Sequence, residues 1–113
     1  MGSEMCIRDS GKVGSEVSLD DAIMAARLCG LNILAQIKTA LGDLNRVEQM
    51  IKLSGFVNSS SDFTDHPKVI NGASDLMVDV FGELGRHTRV AIGASSLPLN
   101  STTEVDALLR VRT

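Results

Sequence analysis

Two short alternating stretches near the C-terminus constrain what this 113-residue chain can fold into. From Thr88 to Ala94, and again from Glu104 to Val111, side chains alternate with period two, the pattern of half-buried strands. The Ser/Pro/Asn-rich segment between them reads as a loop. On the first strand Val90, Ile92 and Ala94 form one face, and Arg89, Ala91 and Gly93 the other. On the second, Val105, Ala107, Leu109 and Val111 oppose Glu104, Asp106, Leu108 and Arg110. If both apolar sets line one core, Arg89 and Glu104 stand together on the opposite face. Ala91 and Gly93 leave room beside the guanidinium, whose rigid fork of donors suits a small planar carboxylate. A small-carboxylate site is expected there.

The upstream sequence supplies the layers that such strands need. Ser18 with Asp21 approximates a capping box and opens a helix. Leu19, Ile23, Ala26, Gly30, Leu34, Ile37 and Leu41 recur at helical spacing, with Ala22, Ala25 and Cys29 as an adjoining small-residue strip. Gly42 is placed to end it. Cys29, in mid-helix, reads as a small core residue. Val47 to Val57 reads as a strand with Val47, Ile51, Leu53 and Val57 on one face and Glu48, Met50, Lys52 and Phe56 on the other, Gly55 marking a bulge or a close approach. Asp62 caps a short turn from Phe63 to Ile70 that contains Pro67. Asn71-Gly72 then interrupts the pattern, and a second helix opens at Ala73 or Ser74 and stops at Gly85. Asp75 and Asp79 read as a solvated face. His66 and His87 are each isolated among loop residues and are not assigned metal or catalytic roles. Met50, Phe56 and Leu108 project away from the helix-facing sets, which implies association through that face.

A chain of this length forms one domain with a modest core, so oligomerisation would add burial. Its 11 basic and 14 acidic residues give a formal charge of −3 and no basic patch, a pattern that argues against a nucleic-acid partner. Two cysteines in unlike contexts indicate neither a disulfide framework nor a metal quartet. The apolar runs are too short for a membrane span, and no signal-peptide core precedes them. A cytoplasmic protein without membrane partner is expected. Residues 1–10 share no pattern with the rest of the chain, and Met5-Cys-Ile-Arg-Asp-Ser looks like a translated sequencing-adapter end. They are expected to be a non-native or disordered leader ahead of a domain spanning residues 11–113.

Arg89, Leu97-Pro98 and Glu104-Val-Asp-Ala at this spacing resemble the C-terminal signature of the RidA (YjgF/YER057c/UK114) family of small enamine and imine deaminases. Gly11-Lys-Val-Gly, Ala25-Ala-Arg-Leu, Asn32-Ile-Leu-Ala, Gly42-Asp-Leu, Gly55-Phe-Val-Asn, Asp62-Phe, and Asn71-Gly-Ala-Ser-Asp-Leu through Phe81-Gly-Glu-Leu-Gly are similar to one branch of it. The resemblance runs from Gly11 to Val111. It implies an α+β, chorismate mutase-like fold in which a mixed β-sheet carries two helices on one face. It also implies a homotrimer with ligand pockets between subunits. The implied reaction is hydrolysis of a reactive 2-imino acid to a 2-keto acid and ammonia, with no cofactor and no metal. Arg89 would anchor the substrate carboxylate, Glu104 would position or activate water, and the backbone from Ala91 to Gly93 would line the pocket. Ala91 stands where the family often has Cys, and the family's N-terminal hairpin, with its pocket aromatic, is expected to be missing. The competing expectation is a non-catalytic module binding a small ligand or a protein on the same trimeric scaffold, with Arg89 and Glu104 forming a structural ion pair.

Overall fold

In the computed structural model, which describes the backbone of residues 4–112 and the side chains from Ser10 onward, the hydroxyl of Ser18 accepts the backbone N–H of Asp21 and opens helix α1, Leu19–Leu41. Asp20 and Asp21 in its first turn and Lys38 in its last complement the helix dipole. Gly42 closes it at φ 84°, a left-handed conformation natural to glycine, and its N–H returns to the Lys38 carbonyl. The buried face of α1 combines both strips read from the sequence and adds Ile33. That width comes from contact with two neighbours, the second helix and the sheet.

The second helix, α2, is continuous from His66–Phe81, with Pro67 in its first turn. The expected break at Asn71-Gly72 does not occur. A Cβ on Gly72 would lie 2.2 Å from the Ile23 carbonyl oxygen, so this glycine lets α1 and α2 cross at backbone contact. Gly72 reports close packing here, not chain reversal. Gly82 ends α2, and a 3₁₀ turn, Gly82–Gly85, succeeds it.

The sheet contains β1 (Glu4–Ser10), β2 (Val47–Asn58), β3 (Thr88–Ala94) and β4 (Ser101–Val111), in the order β1-β4-β2-β3. β4 pairs antiparallel with β1 and with β2, whereas β2 and β3 are parallel. The fold is therefore α+β, a mixed sheet carrying two helices on one face, as expected. Residues 4–10, expected to stand outside the fold, instead form a strand along β4. Pairing between segments some hundred residues apart leaves no local periodic trace.

A further correction concerns β2. The ladder between β2 and β4 shifts register between Met50 and Lys52, which turns Met50 into the core at 0% exposure and leaves Ile51 outside. Met50 therefore does not belong to the outer apolar face. Gly55 is a close approach: a Cβ there would meet Ile70 of α2 at 2.4 Å. Cys29 is fully buried, as expected of a small core residue, with its sulfur 3.3 Å from Thr103 Oγ1. No described helix is long and apolar enough to cross a membrane.

Replacing a helix-interior glycine by alanine ordinarily stabilises by about 0.5–1 kcal/mol. At Gly72 the collision with a backbone carbonyl outweighs that gain. Gly72→Ala is expected to lower unfolding free energy by about 1–3 kcal/mol in urea titrations. A stabilised variant would show that the helix crossing is looser than described.

Candidate functional site

The strand ladder decides which side of the sheet each candidate residue occupies. Arg89 lies in line with Leu53 and Ala107, and Gly93 with Val57 and Thr103, all buried beneath the helices. Glu104 lies in line with Phe56 and Ile92, the latter 47% exposed. Cross-strand partners share a face. Arg89, Ala91 and Gly93 thus take the helix side, and Glu104 takes the open side. The expectation that Arg89 and Glu104 stand together within one chain is corrected. Its premise fails because the apolar residues of β3, Val90 and Ile92, face away from the helices instead of joining the core.

Arg89 is exposed, and its Nη1 donates to Asn71 Oδ1 of α2. The two ion pairs among the described residues are Arg86–Glu83 and Arg110–Glu48, so Arg89 has a neutral partner and no acid. Ala91, beside it on the same side, is half-buried against the core. Glu104 is half-buried, and Asp106 on the same open face has its Oδ1 buried without a hydrogen-bond partner.

Beyond Ala91 the helix side of β3 leads to a cleft of about 550 Å³. It lies where the parallel strands β2 and β3 end and α2 begins, the position at which α/β units commonly bind ligands. Its wall includes Lys12, Ser59, Phe63, His66, Gly93 and Ser95. Two backbone bonds hold the Gly11–Gly14 segment against the end of β2: Val13 N–H to the Asn58 carbonyl at 2.8 Å and Ser60 N–H to the Val13 carbonyl at 3.1 Å. Lys12 then reaches across the cleft, donating from Nζ to Asn58 Oδ1 at 3.1 Å and to the Ser95 carbonyl. The buried Asn58 amide donates in turn to Asn100 Oδ1 and the Ser101 carbonyl, joining this end of β2 to the start of β4.

Neither histidine is isolated. His66 opens α2, its ring meets Phe63 edge-on at 5.2 Å, and its Nε2 lies 3.1 Å from Ser59 Oγ. A Cβ on residue 93 would lie 2.6 Å from that Nε2 and 2.9 Å from Ser59 Oγ, so Gly93 admits the pair over the strand. His87 bridges the Gly85 carbonyl at 2.5 Å and Ser74 Oγ at 2.7 Å, fixing the middle of α2 to the residue just before β3. Sequence reading missed Lys12, Ser59 and His66. The available signal was Asp65-His66-Pro67, a helix start directly after a strand end, with glycine in the adjoining strand. No group of three or more His, Cys, Asp or Glu among the described residues could hold a metal ion.

The match to known proteins extends over nearly the whole chain. Residues 5–110 match the family described as "YjgF/chorismate mutase-like, putative endoribonuclease". Over 103 residues the chain is 47% identical to Protein TCP17 of Trypanosoma cruzi, covering 90% of this chain but 64% of that protein's length. Atu1372 of Agrobacterium tumefaciens is 44% identical and superposes with a TM-score of 0.96 over 99% of this chain and 74% of its own. A "putative endoribonuclease" from Shewanella oneidensis MR-1 is 36% identical, with a TM-score of 0.89 over 93% of this chain and 70% of its own. By sequence match and by fold, the chain belongs to the YjgF/RidA family.

Proposed function

We propose that this chain is a RidA-like enamine/imine deaminase, which hydrolyses reactive 2-imino acids to 2-keto acids and ammonia in the cytoplasm without a cofactor. The observation that carries this reading is the state of Arg89. Its guanidinium is exposed at the sheet edge and bonded to the neutral Asn71 amide, so no acid among the described residues occupies its fork. A guanidinium so placed suits the carboxylate of a small imino acid, and Ala91 and Gly93 continue the same side with little bulk. The C=N carbon is already electrophilic. Anchoring it and positioning one water and one proton-transfer group is chemistry enough, with roughly 10²–10⁴-fold from the acid–base part.

The opposite placement of Glu104 favours a pocket shared between copies. On the open face Val90, Ile92 and Leu108 are 38%, 47% and 55% exposed, next to half-buried Phe56 and the unpartnered Asp106 oxygen. Apolar area of this kind, with a polar group awaiting a donor, is the composition of an interface. In a homotrimer built on this face, Glu104 of one copy would serve the Arg89 edge of another.

Arg89→Lys is expected to lower the rate of ammonia release from 2-iminobutanoate generated in situ by about ten- to a hundredfold, because a point charge on a flexible stem replaces two parallel bonds. Glu104→Gln should lower kcat more than it raises KM, since the amide keeps a polar contact but accepts no proton. Wild-type turnover in folded Arg89→Lys would instead favour the ligand-binding or interaction module. For the assembly, sedimentation at micromolar concentration should show a trimer that Ile92→Glu converts to monomer; a wild-type monomer would refute the shared pocket.

A further inference from the structure

The cleft at the ends of β2 and β3 gathers polar groups from separate parts of the chain. Lys12 comes from the loop ahead of α1, Ser59 and Ser61 from the loop after β2, His66 from the first turn of α2, and Ser95 from the loop after β3. Lys12 is half-buried, yet its ammonium donates only to neutral groups, Asn58 Oδ1 and the Ser95 carbonyl. Glu16 accepts from the Lys12 backbone N–H at 3.2 Å, not from the ammonium, and neither ion pair among the described residues involves Lys12. A cation partly withdrawn from water without a counter-charge is costly, so the site gains from an anion. One N–H of the ammonium remains for it. The Ser61 and Ser95 hydroxyls likewise have no partner among the described residues. The wall contains no carboxylate: Asp62 is exposed outside it, accepting from Ser60 Oγ at 2.9 Å, and Asp65 at the start of α2 is not part of it.

We propose that this cleft is a ligand site distinct from the Arg89 edge, and that it takes the phosphate group of a small phosphate monoester, with Phe63 beside the organic part. Arg89 lies four residues before Gly93 on β3, about 13 Å along the strand, so one small acid does not span both positions. The two places also differ in chemistry. A planar carboxylate matches the fixed fork of a guanidinium, as at Arg89. An ammonium acts as a point charge, and donors converging from several loops match the tetrahedrally spread oxygens of a phosphate. The cleft's volume of about 550 Å³ accommodates such a group with a ring or short chain attached. Its position beyond the ends of two parallel strands is one at which α/β units bind ligands, and the positive end of the α2 dipole adds the same sign. Ser59 and His66 already bond each other at 3.1 Å, so they form a preset wall, and Lys12, Ser61 and Ser95 supply the donors that hold the anion.

Isothermal titration calorimetry of the full chain with phenyl phosphate, benzoate and phenol tests the assignment, with inorganic phosphate as competitor. Phenyl phosphate should bind at least about tenfold more tightly than benzoate or phenol, and inorganic phosphate should displace it. Lys12→Met keeps the stem and removes the charge, and should weaken phenyl phosphate by about ten- to a hundredfold. Lys12 also ties Asn58 to Ser95, so circular dichroism checks the fold of that variant. Should it fail to fold, the double variant Ser61→Ala with Ser95→Ala, which removes no side-chain bond among the described residues, should weaken binding by about tenfold. Arg89→Lys should leave the affinity for phenyl phosphate within about twofold of wild type. Affinity that falls in Arg89→Lys but holds in the cleft variants overturns the proposal, because the anion then sits at the sheet edge. Benzoate or phenol binding as tightly as phenyl phosphate, or no measurable binding of phenyl phosphate, overturns it too. The deaminase reading is decided separately, by ammonia release.

Discussion

The parallel pairing of β2 with β3 requires a crossover, because no tight turn can return a strand to run beside its predecessor in the same direction. Helix α2 is that crossover, and most of the site geometry depends on it. It must start where β2 ends and finish where β3 begins, so it runs along the pair in reverse. His66 consequently lies over Gly93 at the strand ends, Asn71 reaches Arg89, and Ser74 reaches His87. These three contacts form a polar seam between the helix and the sheet edge. Glycines make the close fit of the crossover sterically feasible: Gly72 against α1, Gly55 beneath Ile70 and Gly93 beneath His66.

The same arrangement explains why the open sheet face is more apolar than the edge of the helix side. α2 covers Leu53, Gly55 and Val57, but along β3 it meets Arg89 and Gly93 with polar side chains. Val90 and Ile92 are then left pointing away from both helices. In a monomer this is a loss, since large side chains gain about 1.5–3 kcal/mol each when fully buried. A second copy seated on this face, as proposed above, would recover that loss. Under the proposed assembly, folding and association would use separate apolar surfaces, the first on the helix side and the second on the open side.

Local signals made much of this legible in advance. Ser18 and Gly42 mark the ends of α1 because capping is a matter of a few neighbouring residues, and Thr88–Ala94 alternates cleanly because nothing interrupts its pleat. The features that escaped are all set by distant contacts. Gly72 has the composition of a helix breaker but is dictated by the Ile23 carbonyl. The bulge that turns Met50 inward depends on β4, and the strand at residues 4–10 depends on the same partner. Arg89 and Glu104 were identified as residues, yet their relative placement required knowing which face of β3 the helix covers. The cleft brings Lys12 to Ser95, 83 residues away, and no spacing rule anticipates such a meeting.

The separation of Arg89 from Glu104 by the thickness of the sheet also bears on how a site of this kind is controlled. If one ligand must touch both residues, no isolated chain can satisfy it, whatever the quality of its own fold. In the proposed trimer, assembly would place the two side chains at one point, and the exposed apolar residues Val90 and Ile92, which would face the second copy, alternate with Arg89 and Ala91 on the very same strand. The pleat therefore couples the two demands: any slip of β3 by one residue would exchange the interface set for the ligand set. Register in this strand is held from the helix side, by Arg89 with Asn71 and by Gly93 beneath the Ser59–His66 pair. The contacts that shape the cleft thus also decide which residues of β3 face outward, Val90 and Ile92.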